Sequence, residues 1–220
     1  MMEVFCTRLT SHLSPQLFGE YLSLLPDALQ QKNNRYKTDQ DKQLHLAGQL
    51  LLLEVLQRWG YDRNCLQQVQ YNPYHRPYIP GEVDFNISHS GDYVLCAVGR
   101  HVKVGIDIEA IKNIDLPDFT EMMTDDQWGE IHAAADPVGA FFSYWAIKES
   151  VMKADSRGIY IPLNDIVIEN DTARYDGVNW WLFPLHIDPD YCACVAVNKA
   201  MTAVPVQYIS LEDLLPVAGS

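Results

Sequence analysis

The chain has 220 residues, 48% of them hydrophobic and 20% charged, a length and composition that suit one large globular domain or two small ones. Its formal net charge of −13 excludes the positive surface that non-specific nucleic-acid binding or a polybasic membrane contact requires. Because only 16 residues are Lys or Arg, any anionic ligand must be held by a local cluster of them.

Hydrophobic periodicity predicts two long helices, each followed by strands. In the first half we expect strands over 1–9, 69–71, 85–88 and 93–98, and helices from Pro15, over 27–36 and over 39–59. In the second half we expect a strand over 104–109, an irregular stretch to Met123, a short helix from Thr124 and a long helix from Asp136 to Ser156 closed by Gly158. Strands over 166–168, 180–183, 191–197 and 204–209 and a short helical end complete the prediction.

The order of long helix, glycine and strand recurs with an offset of 98 residues. Gly60 and Gly158 are separated by this distance, and so are Tyr93 and Tyr191, each of which follows an aspartate. The repeat predicts an α+β fold built by pseudo-twofold duplication of two similar halves, 1–102 and 103–220. A functional site is expected at their interface, because clefts between packed units are preferred ligand sites.

Five cysteines occur without a C-x-x-C motif, which favours free thiols in a reducing compartment over disulfides or a zinc site. Neither a signal peptide nor an apolar run of membrane-spanning length is visible, so we expect a cytoplasmic protein.

Two carboxylates interrupt the apolar strand Val104–Glu109. Side chains two residues apart on a strand point to the same face, so Asp107 and Glu109 lie side by side and repel each other. A divalent cation or a basic side chain could compensate these charges. Alternatively, the strand has ended and both side chains lie in water.

The second long helix carries Glu149 and Lys153 four residues apart, with Trp145 one turn earlier on the same face. The same spacing is also that of an ordinary exposed ion pair. Upstream, Ser88 and His89 end a strand before Gly91, and Arg76 stands on a turn before Pro77. These groups suit a phosphate, although an ordinary turn and a solvated loop cation are equally open readings.

Taken together, these residues indicate phosphoryl transfer. Asp107, Glu109 and Glu149 offer only oxygen ligands, which suit a hard cation such as Mg²⁺. The groups that suit phosphates are Lys153, Arg76, Ser88, His89 and the cations between Lys32 and Lys42. The sequence has no P-loop, no G-x-G-x-x-G and no kinase signature, so the ordinary nucleotide enzymes are poor candidates.

Three ordered motifs carry a family resemblance: Phe85–Gly91 (FNISHSG), Gly105–Glu109 (GIDIE) and Trp145–Lys153 (WAIKESVMK). They resemble the motifs of the 4′-phosphopantetheinyl transferases of the Sfp-like, surfactin-synthetase-activating type. The resemblance covers roughly residues 30–170, and it implies a monomeric pseudodimer with its active site between two α+β halves.

The resemblance implies Mg²⁺-dependent transfer of phosphopantetheine from coenzyme A to a serine of an apo acyl or peptidyl carrier protein, with release of 3′,5′-ADP; Mn²⁺ could replace Mg²⁺. It implies Asp107, Glu109 and Glu149 as metal ligands, and Glu149 and Lys153 as catalytic residues. The coenzyme A contacts that we expect are Arg76, Ser88, His89, Lys153, Lys32, Arg35 and Lys42. The alternative is a non-catalytic module of the same fold that binds coenzyme A or carrier proteins.

Two departures from the family pattern concern coenzyme A binding. The family's Gly-Lys-Pro is His75-Arg76-Pro77 here, and a family arginine is missing near Gln43, where Lys42 or His45 could substitute. An apolar series after the strand Val104–Glu109 is proposed as the surface on which the carrier protein docks, although these side chains could equally pack on the core. The series comprises Ile111, Leu116, Phe119, Met122 and Met123. We expect Lys148 at the surface or facing the carrier protein.

Overall fold

Two sheets, one from each half of the chain, form the scaffold of the computed structural model, which describes residues 1–210 and 214. The first sheet has the order β11-β1-β5-β4 and the second has the order β6-β10-β9-β8-β7. The strands are β1 (Met2–Arg8), β2 (Gln70–Tyr71), β3 (Pro77–Tyr78), β4 (Val83–Ser90), β5 (Tyr93–Arg100), β6 (Val104–Ala110), β7 (Val167–Glu169), β8 (Thr172–Tyr175), β9 (Val178–Leu185), β10 (Tyr191–Val197) and β11 (Val206–Tyr208). The helices are α1 (Pro15–Leu22), α2 (Asp27–Asn33), α3 (Asp39–Arg58), α4 (Asp125–Ala133) and α5 (Pro137–Asp155).

The predicted α+β fold is confirmed, and most predicted elements lie within a few residues of their expected bounds. Two short strands, β3 and β8, escaped prediction, and the irregular stretch contains 3₁₀ turns over Leu116–Met122. The closing position of α5 was wrong: Ser156, with φ of 84°, caps the helix in the left-handed conformation before Gly158 is reached. The predicted helical end lies outside the described residues, apart from Leu214.

Each long helix covers the outer face of one sheet. α3 packs on the first sheet through a core that includes Leu51, Val55 and Phe85, and α5 packs on the second through Val151, Ala154 and neighbours. A third core fills the space between the two sheets, with side chains from β1, β5, β6 and β10. No helix in the described part of the chain has the length and apolarity needed to span a membrane.

The repeat-related tyrosines contact each other between the halves. The rings of Tyr93 and Tyr191 meet edge to face, with 4.9 Å between their centroids. The Tyr191 hydroxyl accepts a hydrogen bond from the backbone N–H of Asp92, while the Tyr93 hydroxyl donates one to Asp188. Equivalent residues meet in this way when they lie near a twofold axis. The division of the chain at residues 102 and 103 stays a prediction, and β11 of the second half returns to pair with β1.

The facing edges of the two sheets are joined by side chains. β4 and β6 are both edge strands, and alternate β4 side chains accept hydrogen bonds from alternate backbone N–H groups of β6. The acceptor and donor pairs are Asp84 with Val104, Asn86 with Ile106, Ser88 with Ile108, and Ser90 with Ala110, at 2.9, 2.9, 3.4 and 3.0 Å. We call this line of contact the seam. It satisfies backbone donors that a buried sheet edge would otherwise leave unpaired.

Gly105 allows α5 to lie directly against the seam strand β6. A Cβ atom at this position would overlap the carbonyl oxygen of Ser150 and the backbone nitrogen of Ala154. Only glycine permits so close an approach of a helix backbone to a strand. The contact brings the α5 turns that carry Glu149 and Lys153 over the strand that carries Asp107.

Candidate active site at the seam

Asp107 is the most buried carboxylate of the site, with 2% of its surface exposed. Its Oδ1 accepts hydrogen bonds from Lys153 Nζ at 2.5 Å and from Ser88 Oγ at 2.9 Å. Burial raises the pKa of Asp107, and Lys153 and Ser88 oppose that shift. Its Oδ2 is buried and has no hydrogen-bond partner among the described residues. A buried acceptor of this kind normally has a partner, so Oδ2 indicates a place for a ligand.

Glu109 lies one strand period further along and is held by the next serine. Ser90 Oγ donates a hydrogen bond to Glu109 Oε2 at 3.1 Å. Burial raises the pKa of Glu109, and the charge of Asp107 raises it further. The two carboxylates therefore lie on the same face of β6, as the strand period predicts.

Ser88 and Ser90 each make two kinds of contact at once. The Ser88 hydroxyl accepts a hydrogen bond from the backbone N–H of Ile108 and donates one to Asp107. The Ser90 hydroxyl accepts one from the backbone N–H of Ala110 and donates one to Glu109. The hydrogen bonds that join the halves therefore also orient Asp107 and Glu109. Sequence reasoning missed Ser90 as a site residue, although the alternation of polar residues from Asp84 to Ser90 was a visible signal.

Glu149 completes the group of acids. Burial is the main cause that raises its pKa to about 7, and the charges of Asp107 and Glu109 add to the shift, while Lys153 opposes it. One ammonium thus faces three carboxylates in a partly desolvated space. The excess negative charge is what a bound cation would compensate.

The donor chemistry at this point fits a hard divalent cation. Three carboxylates with one unpartnered buried oxygen on Asp107 match the preference of Mg²⁺ for oxygen ligands. Within residues 1–210 and 214, however, no three His, Cys, Asp or Glu side chains form a ready coordination cluster. The ammonium of Lys153 instead bonds Asp107 directly. Binding of a cation would therefore require Lys153 or the carboxylates to shift.

The first half contributes His89, His45 and Lys32 on the neighbouring side. Burial lowers the pKa of His89, and the charge of Lys153 lowers it further, so His89 lies close to the acid group. Burial lowers the pKa of His45 to about 4, with further contributions from Lys32 and His89. His45 Nδ1 lies 3.0 Å from the amide nitrogen of Asn33, while His45 Nε2 is buried without a partner in the described chain.

The remaining cations that we expected near phosphates lie further out. Arg35 is exposed after α2, and Lys42 forms an ion pair of 3.4 Å with Asp39 in the first turn of α3. Among the described residues, neither side chain forms an ion pair or a side-chain hydrogen bond with the three carboxylates. Their assignment to coenzyme A stays a prediction.

Arg76 is turned inward and links four chain segments at the seam. Only 9% of its side chain is exposed. Its guanidinium donates to Asp84 Oδ2 at 2.9 Å and to acceptors on β4, β6 and the end of α5, which are the carbonyls of Phe85, Val104 and Ala154 and the hydroxyl of Ser156. His75 before it adopts φ of 63°, so the turn keeps the left-handed conformation that glycine favours. The structure thus gives Arg76 a cross-linking role that we did not foresee.

The predicted surface position of Lys148 was wrong. Its exposure is 0%, and its ammonium donates to the carbonyl of Met122 at 2.9 Å. Burial lowers the pKa of Lys148 to about 8. The sequence showed only a charged residue on an otherwise mixed helix, and charge usually indicates exposure.

The apolar series after β6 packs at least in part on the core. Met123 is buried in a cluster with side chains of α4 and α5, and Ile111, Leu116 and Phe119 are half-buried against it. Met122 is also half-buried. Phe119, for example, contacts the rings of Phe141 and Trp145 at 5.2 and 6.1 Å. The side chains of the half-buried members remain partly exposed to solvent, so their role in docking the carrier protein stays a prediction.

Comparison with known proteins matches the chain in two parts. A family model described as "4'-phosphopantetheinyl transferase superfamily" matches residues 103–200, and one described as "4'-phosphopantetheinyl transferase, N-terminal" matches residues 13–101. The chain is 32% identical to the 4'-phosphopantetheinyl transferase gsp of Aneurinibacillus migulanus, over 97% of this chain and 94% of that protein. It is 27% identical to the 4'-phosphopantetheinyl transferase Sfp of Bacillus subtilis, over 97% and 100%.

Proposed function

Because the chain belongs to the 4′-phosphopantetheinyl transferase superfamily and is an Sfp-like transferase, we propose the following reaction for it. The protein transfers the 4′-phosphopantetheine group of coenzyme A, in a Mg²⁺-dependent step, to a serine of an apo acyl or peptidyl carrier protein. The products are the holo carrier protein and 3′,5′-ADP. The observation that carries this proposal is the seam site, where Asp107 keeps one buried oxygen without a partner beside Lys153, Glu109 and Glu149.

Lys153 has the position of a residue that binds phosphate and neutralises charge. Its Nζ contacts Asp107 and Ser88, and 26% of its side chain stays accessible from outside. An ammonium at that position can hold a pyrophosphate oxygen and stabilise the charge that develops as the phosphoanhydride bond breaks. Phosphoryl transfer depends mostly on such positioning and charge neutralisation.

Glu149 is proposed as the base that accepts the proton of the carrier serine. Its pKa is raised to about 7 in the absence of a metal, and a cation bound to the same group of acids would lower it, which keeps the carboxylate ionised and able to accept a proton. Asp107, Glu109 and Glu149 would hold the Mg²⁺, which when bound supplies charge neutralisation at the pyrophosphate. Ser88 and Ser90 keep two of these carboxylates oriented.

The nucleotide end of coenzyme A is assigned to the first half. His89 lies between the acid group and α3, where it can donate to a phosphate, and Lys32 adds charge nearby. Of the two substitutes for the missing family arginine, Lys42 is favoured. His45, with a pKa of about 4, is neutral at pH 7 and cannot supply the positive charge.

The test is mass spectrometry of apo carrier proteins incubated with the protein, coenzyme A and Mg²⁺. We expect a mass gain of one phosphopantetheine on the carrier serine. Asp107→Asn keeps the shape and the acceptor oxygen but removes the charge, and it should lower the rate at least about 100-fold, the scale of losing one preorganised electrostatic group. Asp62→Asn, at an exposed aspartate far from the seam, is the matched control and should stay fully active.

Two results would contradict the proposal. Full activity of Asp107→Asn would refute the assignment of the site. A folded protein that binds coenzyme A but modifies no fatty-acid, polyketide or peptide carrier would instead support the non-catalytic binding module.

A further inference from the structure

Three consecutive backbone carbonyls after β6 are each held by a side chain from a different part of the second half. The pairs are Trp128 Nε1 with Thr120 O at 3.0 Å, Asn164 Nδ2 with Glu121 O at 2.7 Å, and Lys148 Nζ with Met122 O at 2.9 Å. Irregular backbone is usually mobile unless hydrogen bonds restrain it. Here the carbonyl of every residue in the last 3₁₀ turn, Thr120 to Met122, accepts a hydrogen bond from a side chain.

The Lys148 bond is the unusual member of this set. The side chain is fully buried, yet among the described residues Lys148 forms no ion pair, and a carbonyl is the acceptor of its hydrogen bond. Burying an ammonium against a neutral partner destabilises a fold, and an apolar side chain of similar length would fill the same space more favourably. Stability alone therefore does not account for a lysine at this position.

Its location connects two parts of the proposed reaction. Lys148 precedes Glu149 on α5, while Met122 ends the segment Leu116–Met122 that follows the metal strand β6. The groups assigned to the nucleotide, His89 and Lys32, come from the first half. In the segment Leu116–Met122, the ring of Phe119 contacts that of Trp145, with 6.1 Å between their centroids, and Trp145 lies one helical turn before Glu149 on the same face of α5. The segment therefore lies beside the turn of α5 that carries Glu149.

Resting on the proposed function, we infer that Lys148 is a positioning residue for the carrier protein. By holding the carbonyl of Met122, it keeps the segment Leu116–Met122 at a set distance from the turn of α5 that carries Glu149. The carrier serine is then presented to Glu149 in one geometry. Coenzyme A binding does not use this contact.

Lys148→Met tests the inference, because methionine fills the space without a hydrogen-bond donor. We expect the KM for the apo carrier to rise about fivefold to tenfold, the cost of roughly one lost hydrogen bond, with the dissociation constant of coenzyme A unchanged within about twofold. The Tm should equal or exceed that of the parent, since an unpaired buried charge is gone. Hydrogen exchange of residues 116–123 should become faster while that of α5 stays the same.

Trp128→Phe provides a second variant, which removes the donor to Thr120 and keeps the aromatic ring. It should show the same selective rise in carrier KM. Trp59→Phe is the matched control, because Trp59 Nε1 donates to Glu3 in the first half, 2.9 Å away and far from this segment. Its carrier KM should not change.

The outcomes separate this inference from the proposed function. A parent protein that modifies no carrier refutes the proposed function, whereas an active parent with an unchanged carrier KM in Lys148→Met refutes the inference. Equal losses in carrier and coenzyme A affinity, or a lowered Tm with unchanged exchange at 116–123, would mean that Lys148 has only a general structural role. Either result overturns the positioning assignment.

Discussion

Glu149→Gln should make the metal-free protein more stable above neutral pH. The carboxylate of Glu149 is buried beside two other acids, and its pKa is raised from 4.5 to about 7. A raised carboxyl pKa means that the folded protein binds the proton more tightly than the unfolded chain. The stability that this proton provides is present below pH 4.5 and is lost as the pH rises through about 7.

The size of the effect follows from the shift. A rise in the pKa of Glu149 from 4.5 to about 7 corresponds to a loss of at most ~3.4 kcal/mol of folding stability at high pH, because each pKa unit is worth ~1.36 kcal/mol. Because Asp107 and Glu109 titrate with Glu149 and share the repulsion, we expect about 1–3 kcal/mol from this residue. Glutamine removes the charge and keeps the shape, so the variant gains that amount at pH 8. For a chain of this length the gain corresponds to a rise in Tm of about 2–12 °C, at roughly 2–4 °C for each kcal/mol.

The assay is thermal or urea unfolding in EDTA at about pH 4 and pH 8, with Glu169→Gln as the control at an exposed glutamate. Parent and Glu149→Gln should unfold alike below pH 4.5, where the carboxyl is protonated in both the folded and the unfolded state, and differ at pH 8. Mg²⁺ with coenzyme A should raise the Tm of the parent more than that of the variant, because ligands stabilise the state that binds them. A variant no more stable than the parent at pH 8 would refute the claim that burial and neighbouring charges destabilise this carboxylate.

Two further substitutions test the seam. Arg76→Lys should destabilise the protein by about 3 kcal/mol in urea unfolding, because one ammonium cannot reach all five acceptors and the buried Asp84 would lose its guanidinium partner. Arg63→Lys at the surface is the control, and a loss below about 0.5 kcal/mol for Arg76→Lys would contradict the cross-linking role. Ser90→Ala should cost about 1–2 kcal/mol and raise the Mg²⁺ concentration that gives half-maximal activity, because Ala110 N–H and Glu109 lose their partner; an unchanged Mg²⁺ requirement would exclude orientation of Glu109 by this hydroxyl, and Ser23→Ala on the surface is the control.

Much of the scaffold was predictable because it depends on local periodicity. α3 and α5 follow from apolar residues at helical spacing and from polar caps, and β6 follows from its short apolar run. The 98-residue offset also predicted a relation between Tyr93 and Tyr191, which the structure places in contact. Short strands such as β8 carry too few residues for a period to appear.

The fates of charged residues were harder to predict. Arg76 was predicted to contact coenzyme A, with a solvated loop cation as the alternative, and Lys148 was predicted at the surface or facing the carrier. Both side chains are buried against carbonyl groups of distant segments. Burial of a charge depends on acceptors contributed by other parts of the chain, and no local pattern encodes those acceptors. The same reason hid Ser90, whose two partners lie about twenty residues later on β6.

The groups that could serve phosphoryl transfer are visible in the amino-acid sequence: two carboxylates on one strand face, a third carboxylate with a lysine one helical turn away, and a Ser-His pair. Residue type and period are local properties, so the chain alone carries them. How these groups are held depends on contacts between distant parts of the chain, which only the folded protein shows. The hydroxyls of β4 both join the two sheets and orient the acids of β6, since two edge strands with unpaired backbone donors are brought side by side when the halves pack together.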